Sequence, residues 1–209
     1  MIIIRASYDN QTTYLYQWSE AIIDEAKARG FKVDRIEGKD INEKNIRSRI
    51  RNRRPEIIFF NGHGSKTSLI SDKEEFINLQ SADVFNSTIT FTRACDCLVG
   101  LGPKAVEKGC KAFIGYRRKF WIAREHKWEC TPLKDPLAKP ILEGSNIIMT
   151  ELLKGKTVKE SVEKSHEHAN KSIMELIYSK EPLASASLQA IMFNDGALGI
   201  EGDANAKVS

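Results

Sequence analysis

Cys95 and His63 are the two side chains here whose types and surroundings could carry covalent chemistry. Cys95 closes the run Thr90-Phe91-Thr92-Arg93-Ala94-Cys95-Asp96-Cys97. His63 closes the more apolar run Ile57-Ile58-Phe59-Phe60-Asn61-Gly62-His63-Gly64. Each run reads as a strand, so each group sits at a strand's carboxyl end. Neighbouring strands lie about 4.8 Å apart, which would bring thiol and imidazole within reach of one substrate carbonyl. That pairing is a nucleophile and its base. A free thiol with a pKa near 8.5 is only a few per cent thiolate at neutral pH, so the imidazole matters. Cys95 would attack the carbonyl carbon, while His63 assists its deprotonation and later protonates the leaving amine. Gly64 avoids a side chain that would crowd an approaching chain. Cys97 is a second candidate nucleophile, because alternation along an extended chain points both thiols to one side. A helix N-terminus after Cys95 would favour a thiolate, and Asp96 opposes it. No third member of a triad stands out.

The elements that must position these groups form one alternating series. Ile2 to Ala6 reads as a first strand. Leu15, Trp18, Ile22 and Ala26 mark one face of a helix that stops at Gly30. Phe31 to Ile36 reads as a second strand, and Ile46 and Ile50 lie on a second helix that ends before Pro55. Glu56 to Phe60 is a third strand, continuously apolar as a strand covered on both faces should be. A short strand near Leu69 precedes a fourth, Thr88 to Ala94. A short helix comes next, with Pro103 near its start and Gly109 past its end. Lys111 to Tyr116 is a fifth strand and Leu188 to Phe193 a late sixth. Thr157 and Glu160 have the spacing of a capping box. They open a long helix striped by Val158, Val162, Ala169, Ile173 and Leu176. Residues 117–140 have no strong period and read as a long connection, and 201–209 as a loose tail. Alternating strands and helices imply one α/β domain over 1–209. Its central sheet is mostly parallel, of about six strands, with ligands at the strands' carboxyl ends.

Composition bounds the function. The 209 residues are 41% hydrophobic and 29% charged, an ordinary globular balance with length for one large domain. A net charge of +4 is too small to imply a polyanion partner. No run of about eighteen apolar residues suggests a membrane span. The opening Met1-Ile2-Ile3-Ile4-Arg5 reads as a buried strand rather than a signal peptide. Four cysteines at 95, 97, 110 and 130 match no secreted disulfide framework. The cytoplasm is the expected location.

Together these runs resemble the caspase-like cysteine peptidases of clan CD, in which an apolar strand ends in His-Gly and a later one in Ala-Cys. The stretch Leu101-Gly102-Pro103-Lys104-Ala105-Val106-Glu107-Lys108-Gly109-Cys110-Lys111-Ala112-Phe113-Ile114-Gly115-Tyr116 looks most like the gingipain and CHAT-domain branch. Asn194-Asp195-Gly196-Ala197-Leu198-Gly199-Ile200 is similar to that branch's final turn. Arg-Ala-Cys-Asp-Cys departs from the caspase pattern Gln-Ala-Cys-x-Gly at its first and last positions. The resemblance implies a caspase-like three-layer sandwich and a Cys95–His63 dyad, with the backbone N–H groups of Gly64 and Cys95 as oxyanion donors. In that clan the residue two before the nucleophile usually lines the primary specificity pocket. It is Arg93 here, whose guanidinium fork matches a carboxylate. The expectation is therefore cleavage after Asp or Glu, with Arg117 and Arg118 adding to the pocket.

Other features carry less. Arg47, Arg49, Arg51, Arg53 and Arg54 form a basic run without aromatic company, which reads as solvated surface and not a nucleic-acid arm. Gly62-His63-Gly64-Ser65 lacks the Gly-Lys-Ser/Thr ending of a phosphate loop. His126, Cys130, His166 and His168 make no standard zinc spacing with Cys95 and Cys97. No zinc site or cofactor is expected, and no acidic cluster for calcium stands out, although some members of the resembled clan use it. Trp121 and Trp128 either cover the sheet edge or flank a substrate groove. The expected partners are a protein or peptide substrate lying extended along the strand-end edge, and an activating protein, with no membrane. The alternatives are a CHAT-like interaction module with a silent dyad, and a flavodoxin-like domain whose Gly62 and Gly64 approach a phosphate.

Overall fold

The computed structural model describes residues 1–208. The chain runs β1 (Ile2–Arg5), α1 (Asn10–Trp18), α2 (Glu20–Ala28), β2 (Asp34–Glu37), α3 (Glu43–Arg53) and β3 (Ile57–Asn61). The short strands β4 (His63–Gly64), β5 (Ser68–Ser71) and β6 (Glu74–Asn78) come next, then β7 (Ile89–Arg93), α4 (Leu101–Glu107) and β8 (Ala112–Tyr116). The chain closes with α5 (Lys139–Leu153), α6 (Val158–Ile177), α7 (Ala184–Asp195) and β9 (Leu198–Gly202). The main sheet has the order β2-β1-β3-β7-β8-β9, with only β9 antiparallel, and β4, β5 and β6 form a small separate sheet.

Strand alternation divides the interior into two cores, because successive side chains point to opposite faces. Ile3, Phe59, Phe91 and Ile114 point to one face and meet α1, α2, α5, α6 and α7. Ile2, Ile4, Ile58, Phe60 and Phe113 point to the other, against α3, α4 and the small sheet. Phe59 and Phe91 stack at 5.2 Å across neighbouring strands. Each such buried side chain contributes about 1.5–3 kcal/mol of transfer free energy. The arrangement is the mostly parallel α/β sheet that the alternating series predicts, in the three-layer sandwich that the resemblance implies.

Thr157 caps α6 as its spacing predicts. Its hydroxyl accepts from the Glu160 N–H, and the Glu160 carboxylate accepts from the Thr157 N–H. Thr157→Ala is expected to cost about 1 kcal/mol, a fall of roughly 2–4 °C in Tm on a thermal melt.

Several expectations are corrected. Leu188 to Phe193 is not a strand but the centre of α7, which buries Ala184, Ser187, Ala190, Ile191 and Asn194 at helical spacing. The last strand is β9, paired antiparallel with β8 from Ala112↔Gly202 to Tyr116↔Leu198. The first helix breaks at Ser19, whose hydroxyl donates to the Tyr16 carbonyl and competes with the helical ladder. The second strand begins at Asp34, not Phe31. Residues 203–208 are not loose: the Ala206 carbonyl accepts from the Val158 N–H, and Val208 is buried. Ser209 lies outside the described residues. The 117–140 connection is pinned against α1. Buried Asp135 accepts from the Tyr14 hydroxyl at 2.6 Å and from the Glu125 N–H at 2.9 Å, and the Trp18 indole donates to the Pro132 carbonyl.

Candidate active site

β3 and β7 are neighbours in parallel register, Asn61 opposite Arg93, and the Gly62 N–H donates to the Arg93 carbonyl at 3.3 Å. His63 and Cys95 each lie two residues further on, so the two strand ends carry them at the same level. Gly64 packs directly on the turn that holds Cys95. A Cβ at Gly64 would lie 2.5 Å from the Cys97 sulfur, 3.0 Å from the Ala94 Cβ and 3.2 Å from the Cys95 carbonyl. Glycine is required there by the close packing of the two strand ends.

Cys95 is half-buried, and Asp96 after it adopts a left-handed conformation with φ of 58°. That turn overrides the alternation expected for an extended chain. Cys97 is carried inward, fully buried, with its thiol directed at the Cys95 carbonyl (3.3 Å) and the Ser68 carbonyl (3.8 Å). Burial pushes its thiol far up. Cys97 is a packing residue, and Cys95 is the thiol open to solvent at this edge.

His63 is held by a residue that local sequence pattern does not reveal. Its Nε2 lies 2.6 Å from Asp9 Oδ2. Asp9 is the N-cap of α1, at the carboxyl end of β1, and accepts from the Thr12 N–H at 2.8 Å in a capping box. Burial raises the Asp9 carboxyl, but the Thr12 N–H, His63 and the Thr12 hydroxyl more than offset it, leaving it below the ordinary value. Asp9 is therefore ionised at neutral pH and can only accept. A neutral imidazole that donates to this carboxylate carries its proton on Nε2 and leaves Nδ1 as the acceptor. The only sequence signal for Asp9 is Asp-x-x-Thr directly after a strand, which also fits a purely structural helix cap.

Two groups from the connection after β8 face the thiol. Burial raises Cys95 above an ordinary thiol. The Phe120 backbone N–H opposes this, the Asp96 charge adds to it, and Lys119 opposes it. The net effect favours the neutral thiol at rest, so a base must take its proton before attack. Among the described residues the Cys95 N–H makes no backbone hydrogen bond, whereas the Asp96 N–H donates to the Arg118 carbonyl.

The three arginines expected to share a pocket do not converge. Arg93 is fully buried under α1 and α5, so it cannot line a pocket open to a peptide. Its guanidinium donates to Asn61 Oδ1 (2.6 Å), Asn146 Oδ1 (2.9 Å), Ser145 Oγ (3.1 Å) and the Leu15 carbonyl (3.4 Å). Arg117 pairs with Glu201 on β9 at 2.8 Å, and Arg118 lies over the Phe193 ring. An open groove of about 490 Å³ does hold Cys95, and its wall includes Gln11, Lys119, Phe120, Trp121 and Arg124. Trp121 thus flanks the groove, whereas Trp128 does not line it. Among the described residues no cluster of three or more His, Cys, Asp or Glu could hold a metal ion, and no helix is long and apolar enough to cross a membrane.

No protein-family model and no curated protein matches the chain. Among solved structures, the Arg-specific cysteine proteinase gingipain R (RgpB) superposes with a TM-score of 0.67 at 14% identity. That match covers 99% of this chain and 47% of gingipain R. The complex of Porphyromonas gingivalis RgpB pro- and mature domains gives a TM-score of 0.65 at 12% identity, covering 100% and 48%. This chain spans just under half the length of either. At such identities the likeness is one of fold: the α/β fold here is shared with the cysteine proteinase gingipain.

Proposed function

We propose that the protein is a cysteine endopeptidase of the caspase-like clan in which Cys95 is the nucleophile and His63 the general acid and base. The observation that carries the reading is the Asp9–His63 hydrogen bond beside a solvent-reaching cysteine on the neighbouring strand end. In this scheme His63 Nδ1 takes the Cys95 proton as sulfur bonds to the scissile carbonyl carbon. Asp9 stabilises the imidazolium that forms. The Gly64 and Cys95 N–H groups receive the developing oxyanion. Collapse of the tetrahedral intermediate breaks the C–N bond, and the imidazolium returns the proton to the leaving amine. Water then hydrolyses the thioester with His63 acting as base, which releases the acid product and the Cys95 thiol.

The preference for Asp or Glu loses its support from Arg93, which is committed inside the fold. Assignment to the gingipain and CHAT branch belongs to the same proposal. All four cysteines are free, which supports a reducing compartment such as the cytoplasm. The basic run supports a surface role, with Arg47 paired to Asp83 and Glu43 and Arg49 to Asp34. An activating protein that lowers the cost of the thiolate is a second form of the same proposal.

The test is digestion of a mixed peptide library, with new termini read by mass spectrometry. Wild type is expected to generate termini that vanish in both Cys95→Ala and His63→Ala. Termini that persist in either variant overturn the assignment.

A further inference from the structure

The groove beside Cys95 has a rigid wall. Gln11 donates to the Phe120 carbonyl at 3.3 Å. Buried Asn194 clamps the Trp121 backbone, accepting from its N–H and donating to its carbonyl, both at 2.8 Å. The Trp121 ring stacks on Phe193 at 4.3 Å, and the Phe120 ring packs on Tyr116 at 4.7 Å. A side chain on this wall is therefore presented to the groove from a fixed backbone.

The charge on the wall has one sign. Lys119 and Arg124 line the groove, and among the described residues no carboxylate does. Arg124 is neutralised by Glu129. Lys119 is exposed and makes no ion pair among the described residues, yet its charge reaches the Cys95 sulfur. The other charge acting on the thiol is Asp96, on its own turn, and the Asp9–His63 pair lies across the strand ends. A guanidinium or ammonium entering this groove would meet like charge.

We propose that Lys119 is the specificity-determining residue of the Cys95 groove, and that it recognises a carboxylate side chain of the peptide adjoining the scissile bond. This rests on the cysteine-peptidase reading. An acidic peptide side chain would take the ion-pair position that Lys119 leaves open, while the Trp121 face covers its apolar stem.

Two measurements test this, and the first needs no peptidase activity. In a Cys130→Ser background, which removes the exposed thiol, Cys95 is alkylated with anionic iodoacetate or neutral iodoacetamide at low salt, and the adduct is located by peptide mapping. Lys119→Gln is expected to lower the iodoacetate-to-iodoacetamide rate ratio about five-fold, with Lys119→Arg restoring it. An unchanged ratio overturns the proposal. The second compares kcat/KM for two peptides differing only in Asp or Arg on the acyl side of the cleaved bond. Wild type is expected to favour Asp at least about ten-fold, and Lys119→Glu to reverse the order. Equal or better cleavage of the Arg peptide overturns the proposal. If neither peptide is cleaved, the activator-free form of the peptidase reading fails, and the alkylation ratio still decides the role of Lys119.

Discussion

An Asp9→Asn variant is expected to fold normally and to lose about 10²- to 10⁴-fold in kcat for peptide hydrolysis. Asparagine is as good an N-cap as aspartate, so its Oδ1 can still accept the Thr12 N–H and hold the start of α1. What changes is the group facing His63. A carboxylate can only accept, and so it fixes the proton on Nε2 and leaves Nδ1 free for the Cys95 proton. An amide can donate as well, so it no longer selects the tautomer and no longer stabilises an imidazolium. The pH dependence has a definite sign. The Asp9 carboxyl is held below its ordinary value, so its contribution to stability is complete above the ordinary carboxylate range. That contribution is lost only as pH falls through the lowered value. A matched thermal melt and a kcat measurement on the variant check the prediction together. Wild-type kcat in Asp9→Asn would remove Asp9 from the mechanism.

Arg93→Ala is expected to destabilise the protein by about 3–5 kcal/mol, a drop of roughly 10 °C in Tm. The guanidinium ties Asn61 on β3 to Ser145 and Asn146 on α5 and to the Leu15 carbonyl on α1, and it lies over the Phe59 ring. Truncation leaves those acceptors without their donor and a cavity below the strand ends that carry His63 and Cys95. Among the described residues Arg93 has no carboxylate partner, and burial lowers its pKa to about 9. A base whose folded pKa is lowered costs stability while it is charged, so at neutral pH the charge is a burden and the hydrogen bonds are the benefit. Arg93→Met removes that burden and fills most of the volume, so it is expected to cost less than Arg93→Ala. Differential scanning calorimetry of both variants checks the order. A folded Arg93→Met protein is expected to retain whatever cleavage preference the wild type shows, because the side chain never reaches the groove.

The parts of the site legible in the sequence are those written in local pattern. Ile57–Phe60 and Ile89–Phe91 are apolar runs long enough to read as buried strands, and the residues just past the carboxyl end of such a strand lie at the sheet's functional edge. His63 and Cys95 are readable for that reason. Asp9 is not, because only the three-dimensional adjacency of β1 to β3 brings the start of α1 beside His63. Arg93 misleads for a related reason. Its place two before Cys95 says nothing of depth, and the helix that buries it, α5, lies more than fifty residues away in sequence. Leu188–Phe193 imitates a strand because its apolar and neutral residues fit either period. The flanking buried positions Ala184, Ser187 and Asn194 decide for the helix. At Asp96 the chain turns through a left-handed residue and carries Cys97 into the core, which alternation alone does not foresee.

The most direct test of Cys95 as the nucleophile is covalent trapping. Wild type is incubated with a peptidyl chloromethyl ketone library, and the modified residue is located by peptide mapping. The expected result is an adduct on Cys95, lost in His63→Ala and strongly slowed in Asp9→Asn, with Cys97 and Cys110 unmodified in their buried sites. Labelling confined to the exposed Cys130, or labelling of Cys95 that is indifferent to His63, would contradict the account.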